Sequence, residues 1–508
     1  MRIILAVLLA IFVAIATSKR ISPFFENNLK FDHVPSHVLN NYDSESDAGE
    51  PLILSDYLDT PELARRKSCV DINMAPFGRC SMLDNVNDPI NDVTPFTYSG
   101  YFTVNQTYDQ NLFYWFFEAQ SGKQNAPILI WLQGGPGGSS LFGLFSENGP
   151  FAILNNLTMV PRNITWNTDY HMIYIDNPVN TGFSYSSEVA GCSSNQDQIA
   201  YNLHQLLIQF YQVFPQYVDN ELYITGESYA GKYIPAFAYY ILQQNPNLSV
   251  KINLAGVAIG DGLCDPVTQV TQYANLAYYT GLADIVQQET MMMYQDKIVE
   301  AINQQEWGIA NDLFTDLING PPDYFQNITG EPDYYDIRRT VEPSYGGNFE
   351  LFVNQSSIRN LLHVGNHYFQ DNNEVYLALQ EDIPKSVKPL IPTLIENIKV
   401  MFYNGQFDFI VGVSTTETFI RTIPWSGIGS FIQTDRVIWY IPTDTIDVAG
   451  YVRHYQNLTQ VVVRGAGHIV PFDQSARAYD MITRFSRCHS LHMTTTKAGQ
   501  PHMSQLID

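Results

Sequence analysis

The stretch ITGESYAGKYIPA, Ile224–Ala236, sets a serine between Glu227 and Tyr229 at the end of a short apolar run. Glu221–Thr225 (ELYIT) predicts a strand that stops at Gly226, and Ala230 and Gly231 open a helix just after Ser228. A serine on such a corner occupies a strained turn, tolerated only beside small residues, and its hydroxyl stands clear above the sheet. The N-terminus of the following helix favours negative charge as it develops. The strict form of this elbow ends in Gly; here Ala230 fills that place and Gly231 follows. Pro235 cannot lie deep inside a helix, so the elbow helix is predicted to be short, with a second one beginning at Pro235. An ordinary turn accounts for the same residues, so the reading depends on what the rest of the chain brings to Ser228.

On both sides of this corner, strands alternate with helices. Asn111–Glu118, Pro127–Leu132, His171–Asp176, Ile252–Ile259, Lys399–Tyr403 and Gln460–Val463 are short, apolar and bounded by breakers, as buried strands are. Ser194, with Asp197 three residues on, predicts a helix start. Ile199, Leu203, Leu206, Phe210 and Phe214 follow at helical spacing and Pro215 ends the run. The alternation predicts a mostly parallel central sheet flanked by helices. Residues 264–395 break the rhythm with long helical stretches, notably Asp284–Ile318, and read as an inserted, mainly helical cap. The expected organisation is therefore a signal peptide over 1–18 and a propeptide or N-terminal extension over 19–95. The two parts of the α/β core follow over 96–263 and 396–487, separated by the cap, and a polar, disordered tail spans 488–508. Arg65-Arg66-Lys67 is a processing site or a solvated basic run.

Composition narrows the class. With 45% apolar and 15% charged residues in 508, the chain is globular and large enough for a sizeable core. Acids outnumber bases 51 to 27, for a net charge of −24, which repels phosphate backbones and excludes nucleic acid as a partner. Arg2 and the apolar run Ile3–Ala16 form a secretory signal, and no later run is long enough to span a membrane. Glycosylation acceptors are offered at Asn105, Asn156, Asn163, Asn247, Asn327, Asn354 and Asn457. Together these predict a protein of the secretory pathway, either secreted or held in a lysosome or other acidic vesicle. Five cysteines (Cys69, Cys80, Cys192, Cys264, Cys488) leave one thiol over from two disulfides, with the pairing open, and the lack of CxxC argues against zinc.

Three further motifs fall on loops after predicted strands. Gly134-Gly135-Pro136-Gly137-Gly138-Ser139 follows Pro127–Leu132, where glycines let backbone N–H groups face an oxyanion; without Gly-Lys-[Ser/Thr] it is not a phosphate loop. Asp408 lies just past Lys399–Tyr403, and His468 just past Gln460–Val463. Each alone is unremarkable, but the order Ser228, Asp408, His468 is that of an α/β-hydrolase. His363 and His367 have metal-like spacing without an intervening glutamate, in an apolar stretch, and read as structural. No metal or cofactor is expected.

With these residues in place, WLQGGPGGSS (131–140), IDNPVNTGFSY (175–185), TGESYAGKYIPA (225–236), GDGLCDP (260–266), YNGQFD (403–408) and GAGHIVPFDQ (465–474) resemble the serine carboxypeptidase family, in particular its vitellogenic-like branch, over 96–487. The resemblance implies hydrolysis of C-terminal peptide bonds at acidic pH through an acyl-enzyme. Ser228 would be the nucleophile, His468 the base and then acid, and Asp408 the group orienting the imidazole. It implies an oxyanion hole from the N–H groups of Gly135 and Tyr229. It also implies that Gln133, Gly134, Glu147 and Glu227 bind the substrate's C-terminal carboxylate. Two carboxyl groups brought together and buried cannot both ionise easily; a protonated one donates a hydrogen bond to that carboxylate. The chain departs from the family pattern at Gln133 (usually Asn), Gly138 (commonly Cys) and Asn180 (usually Gly, though Asn tolerates positive φ). Partners would be peptides or proteins with a free C-terminus; the chain itself would be a monomer or homodimer. The rival readings are an acyltransferase or esterase on the same fold and a non-catalytic secreted binding or protective protein. A latent zymogen is compatible with all of this.

Overall fold

The computed structural model describes residues 43, 46–84, 94–320, 322–330, 333–341, 343, 345, 348–370, 373–444 and 446–487. The expected signal peptide, the tail over 488–508 and Cys488 lie outside the described residues. Twelve strands occur among them: β1 Thr97–Asn105, β2 Gln110–Phe117, β3 Ile128–Leu132, β4 Phe151–Ile153, β5 Met159–Pro161, β6 His171–Ile175, β7 Leu222–Glu227, β8 Leu254–Gly260, β9 Lys399–Gly405, β10 Val437–Trp439, β11 Gly450–Tyr455 and β12 Leu458–Val463. Ten form one sheet in the order β1-β2-β6-β3-β7-β8-β9-β12-β11-β10, while β4 and β5 make a separate hairpin. The six central strands, β6 to β12 in that order, pair in parallel, with an antiparallel pair at each edge. Strands β3, β6, β7 and β12 are buried along their whole length, as parallel strands covered on both faces must be.

One face packs against helices Gln196–Val213 and Ala230–Gln244, through Leu203, Leu206, Phe210, Ile234 and Phe237. The other is filled by Trp131, Tyr174, Met401, Val461 and Met481. Between β8 and β9 the chain is helical, including Ile285–Asn303 and Trp307–Phe314, with a cluster of its own around Tyr273, Met291, Ile298 and Phe325. Within the region read as a leader, Leu54, Ala64 and Val70 are fully buried, Ile53 bridges Tyr101, and Arg65–Lys67 lie in the helix Pro61–Ser68.

Two local expectations are corrected. The helix after Ser194 is capped by Asn195, whose side chain accepts the N–H of Gln198 at 3.0 Å, so it begins one residue later than Ser194 predicts. The elbow helix does not stop at Pro235 but runs unbroken from Ala230 to Gln244. Pro235 removes the bond to the Gly231 carbonyl, and the Cys264 thiol donates to that oxygen instead, at 3.1 Å. Of the cysteines, Cys69 pairs with Cys80, while Cys192 and Cys264 are free thiols. His363 hydrogen-bonds Ser99 Oγ at 3.2 Å, and the His367 ring stacks on Tyr185 at 3.9 Å.

Candidate active site

All the candidate loops leave the carboxyl ends of parallel strands, so they meet on one edge of the sheet. Ser228 follows β7 with φ at 62°, in the left-handed region. Its N–H donates to Gly260 O (2.9 Å), and its carbonyl accepts from Gly231 N (2.9 Å) and Leu263 N (3.0 Å). These bonds hold a conformation that a serine otherwise avoids. The loop after β3 crosses so close that a Cβ on Gly134 would lie 2.6 Å from Ser228 Cβ and 2.7 Å from Tyr229 N. Ser228, Gly135 and Tyr229 share a cleft whose other walls include Leu263, Phe314, Ile383 and Val411. Asn180 has φ at 72°, the conformation for which Asn best replaces Gly.

Asp408 and His468 are buried and joined by a 2.8 Å hydrogen bond between Nδ1 and Oδ2. Asp408 also accepts the N–H groups of Ile410 (2.9 Å) and Val411 (3.2 Å). As an acceptor it fixes the proton on Nδ1 and leaves Nε2, which has no partner among the described residues, as the basic nitrogen. Burial opposes the imidazolium, but the Asp408 charge and hydrogen bond, helped by Glu227, outweigh it and raise His468 above the ordinary histidine value. The His468 loop rests on a segment from the helical region. His468 N–H donates to Tyr335 O (2.7 Å), the two rings lie 4.8 Å apart, and Arg339 pairs with Asp473 at 2.6 Å while Asp473 accepts Gly467 N–H at 2.7 Å. Asp261, Asp408 and His468 each offer a ligand atom within 4.8 Å of the others, but the 2.8 Å hydrogen bond leaves no room for an ion between His468 and Asp408.

Glu147, Glu227 and Gln133 come together and are sealed from solvent. Trp131 Nε1–H can only donate, so Oε1 of Gln133 must face it (2.9 Å), and Gln133 Nε2 must then donate to Glu227 Oε1 (2.8 Å). The Gln in place of the family's usual Asn is thus held by two partners. Burial raises both carboxyls. Glu227 is pushed up to about 7, with His468 and Gln133 opposing the rise. Glu147 stands well above the ordinary range because burial and the neighbouring Glu227 act together. Glu227 Oε2 and both Glu147 oxygens bond no described donor.

Sequence reasoning passed over Asp261, Tyr335 and the Lys232–Asp382 pair. Lys232 lies in the opening stretch, but its partner is 150 residues away and carries no local signal.

A sheet of this order, with a strained serine after β7, an acid after β9 and a histidine after β12, defines a hydrolase of the α/β-hydrolase class. Residues 89–487 match the model of the serine carboxypeptidase family, to which the chain belongs; it is a serine-type carboxypeptidase by class. The probable serine carboxypeptidase CPVL of Dictyostelium discoideum is 62% identical over 494 residues, covering 96% of this chain and 98% of that protein. The probable serine carboxypeptidase CPVL of Homo sapiens is 41% identical (87% and 90% covered), and the vitellogenic carboxypeptidase of Aedes aegypti 36% (87% and 90%). Among solved structures, the prohormone-processing carboxypeptidase Kex1(delta)p of Saccharomyces cerevisiae shares the fold, with a TM-score of 0.70 and 24% identity, covering 83% of this chain and 96% of that one. No helix among the described residues is long and apolar enough to cross a membrane.

Proposed function

We propose that the protein removes C-terminal residues from peptides at mildly acidic pH, with Ser228, His468 and Asp408 as its catalytic set. Ser228 Oγ attacks the terminal peptide carbonyl as His468 Nε2 takes its proton, and Asp408 holds the imidazole. The oxyanion is met by the N–H groups of Gly135 and Tyr229. His468 then protonates the leaving amine, the free amino acid departs, and water releases the acyl group by the same route in reverse roles. The observation that carries the exopeptidase reading is the buried Gln133–Glu227–Glu147 set, placed one residue from the nucleophile. With Gly134 it would take the substrate's carboxylate, and only a protonated carboxyl can donate to it.

Glu227 and His468 are electrostatically linked, so the productive state is neutral Glu227 with neutral His468. Ionising Glu227 removes the donor and also favours an imidazolium that cannot act as base. Activity on free-acid substrates therefore falls as pH rises through about 7. The apolar walls at Phe314, Ile383 and Val411 favour apolar side chains beside the cleaved bond.

Burial of Ala48, Leu54, Ala64 and Val70 supports a propeptide, where one is removed, that ends before Ala48. Export is supported by the acceptor asparagines. Asn156, Asn163, Asn247 and Asn327 are exposed and the most accessible of the seven, while Asn105, Asn354 and Asn457 are half-buried.

The test is release of free amino acid from an N-blocked dipeptide and from its C-terminal amide, from about pH 4 to 8, across the carboxyl and histidine range. A Ser228→Ala protein, expected to lose on the order of 10⁴–10⁶ in kcat, runs alongside. Release from the free acid alone, absent in the variant, supports the proposal. Equal release from the amide would remove the role given to Glu147 and Glu227, and no release would overturn the peptidase reading.

A further inference from the structure

Asp261 directly follows β8 in the GDGLCDP motif and is sealed from solvent. Its backbone is left-handed (φ 43°) and its N–H donates to Tyr403 O at 2.8 Å. Oδ1 accepts Gly405 N–H (3.0 Å) and Asn404 Nδ2 (3.3 Å), so the side chain braces the turn from which Asp408 departs. Oδ2 has no donor partner among the described residues. One oxygen of Asp261, one of Asp408 and a ring nitrogen of His468 lie within 4.8 Å of one another.

Two buried carboxyls this close, sharing one imidazole, cannot both hold a charge. Asp408 accepts three N–H bonds spread over both oxygens, from Ile410, Val411 and His468. Asp261 accepts at one oxygen only. The anion therefore belongs on Asp408 and the proton on Asp261. We infer that Asp261 is a positioning residue that, as a carboxylic acid, donates its Oδ2–H to Asp408 and so holds the carboxylate that orients His468. Burial and the nearby Asp408 charge both push Asp261 upward, in the same sense. The other ionisable groups facing the set are Glu227 at the end of β7, Tyr403 on β9 and Asp333 near His468; an anion on Glu227 adds to the cost of ionising a second carboxyl here.

The inference rests on the roles proposed for Asp408 and His468. Its test compares the native enzyme with Asp261→Asn and Asp261→Ala. Asn keeps both the acceptor and a donor without a charge. Its acid limb of kcat/KM should stay within about 0.3 pH unit of native and its kcat within about threefold, since neutral replaces neutral. Ala leaves Asp408 a donor short and a stronger partner for the imidazolium. The acid limb should then move up by about half a unit or more, with kcat down about tenfold or more and KM little changed. A role confined to bracing the turn would lower stability without moving the limb. The Nδ1 proton resonance of His468, read by NMR without substrate, should be kept in Asn and shifted in Ala, so it remains readable even if the peptidase reading fails. An acid limb lowered by about a unit or more in Asn would mean that Asp261 is ionised in the native enzyme. That result, or an unmoved limb and resonance in Ala, overturns the inference.

Discussion

Two buried carboxyl sites flank the nucleophile and are neutralised in opposite ways. On one side, Glu227 and Glu147 form no ion pair among the described residues; Arg162 and His468 act on them only at longer range, and the site depends on protons. On the other, Asp382 is met by Lys232 Nζ at 2.8 Å, by Tyr229 OH at 2.6 Å and by Gln196 Nε2 at 2.7 Å. Lys232 is four residues past Ser228, in the helix Ala230–Gln244, and Tyr229 is the residue whose N–H is proposed to face the oxyanion. Burial lowers Lys232 to about 8 against the pull of Asp382, so it stays charged throughout the acidic range. The proton-dependent site can respond to pH; the ion-paired one keeps its cation over the same range. The difference teaches that burial alone does not make a carboxyl a switch. What matters is whether its compensating partner can leave.

Breaking the ion-paired site should cost most. Lys232→Met leaves Asp382 buried without its cation and is expected to destabilise by about 3–5 kcal/mol, read as a lower urea midpoint. Adding Asp382→Asn should restore much of the loss, because an amide does not demand a counter-charge. A single variant as stable as native would show that Asp382 does not depend on Lys232.

Glu227→Gln sharpens the other side. A group whose folded pKa is raised contributes stability that is complete below its unfolded value and lost as pH rises through the folded one. For Glu227 that window runs from the ordinary carboxylate value of 4.5 to about 7, an effect on the order of 3 kcal/mol at 1.36 kcal/mol per unit. Relative to the Gln variant, the native protein should therefore lose stability between pH 5 and 7.5, by parallel urea titrations. Gln also keeps a donor at all pH values, so the loss of free-acid cleavage near neutrality should weaken. Parallel stability curves would show that Glu227 titrates normally.

The contrast between the sites parallels what the sequence could reveal. Short apolar strands, the elbow and the order of Ser228, Asp408 and His468 are local patterns, and each surfaces in a contiguous stretch. The carboxyl pair was legible only through the family resemblance: Glu227 adjoins the nucleophile, but nothing local joins Glu147 to it. Asp382 has no such context; its meaning comes from Lys232, and only the fold brings the two together. The helix start slipped by one residue because Ser194 and Asn195 are both good caps, and the choice rests on which side chain reaches Gln198 N–H. The cysteine pairing stayed open because spacing alone does not distinguish Cys69–Cys80, which the packed N-terminal segment brings together, from other pairs.

Pro235 gives the smallest and most local test. The rule that proline ends a helix rests on two costs, a lost N–H bond and a clash with the preceding turn. Here Pro235 is the sixth residue of Ala230–Gln244, and the carbonyl it deprives belongs to Gly231. Cys264 Sγ supplies the missing donor from the GDGLCDP loop, on the Lys232 side of the elbow. Cys264→Ala removes that donor and leaves a buried carbonyl unsatisfied, at an expected cost of about 1–2 kcal/mol with a small part from lost packing. Cys264→Ser keeps a donor of nearly the same size and should recover part of it by thermal unfolding. If Ala and Ser lose stability equally, the thiol matters only as bulk, and the continuity of the helix through Pro235 must come from the packing of Ile234 and Phe237 instead.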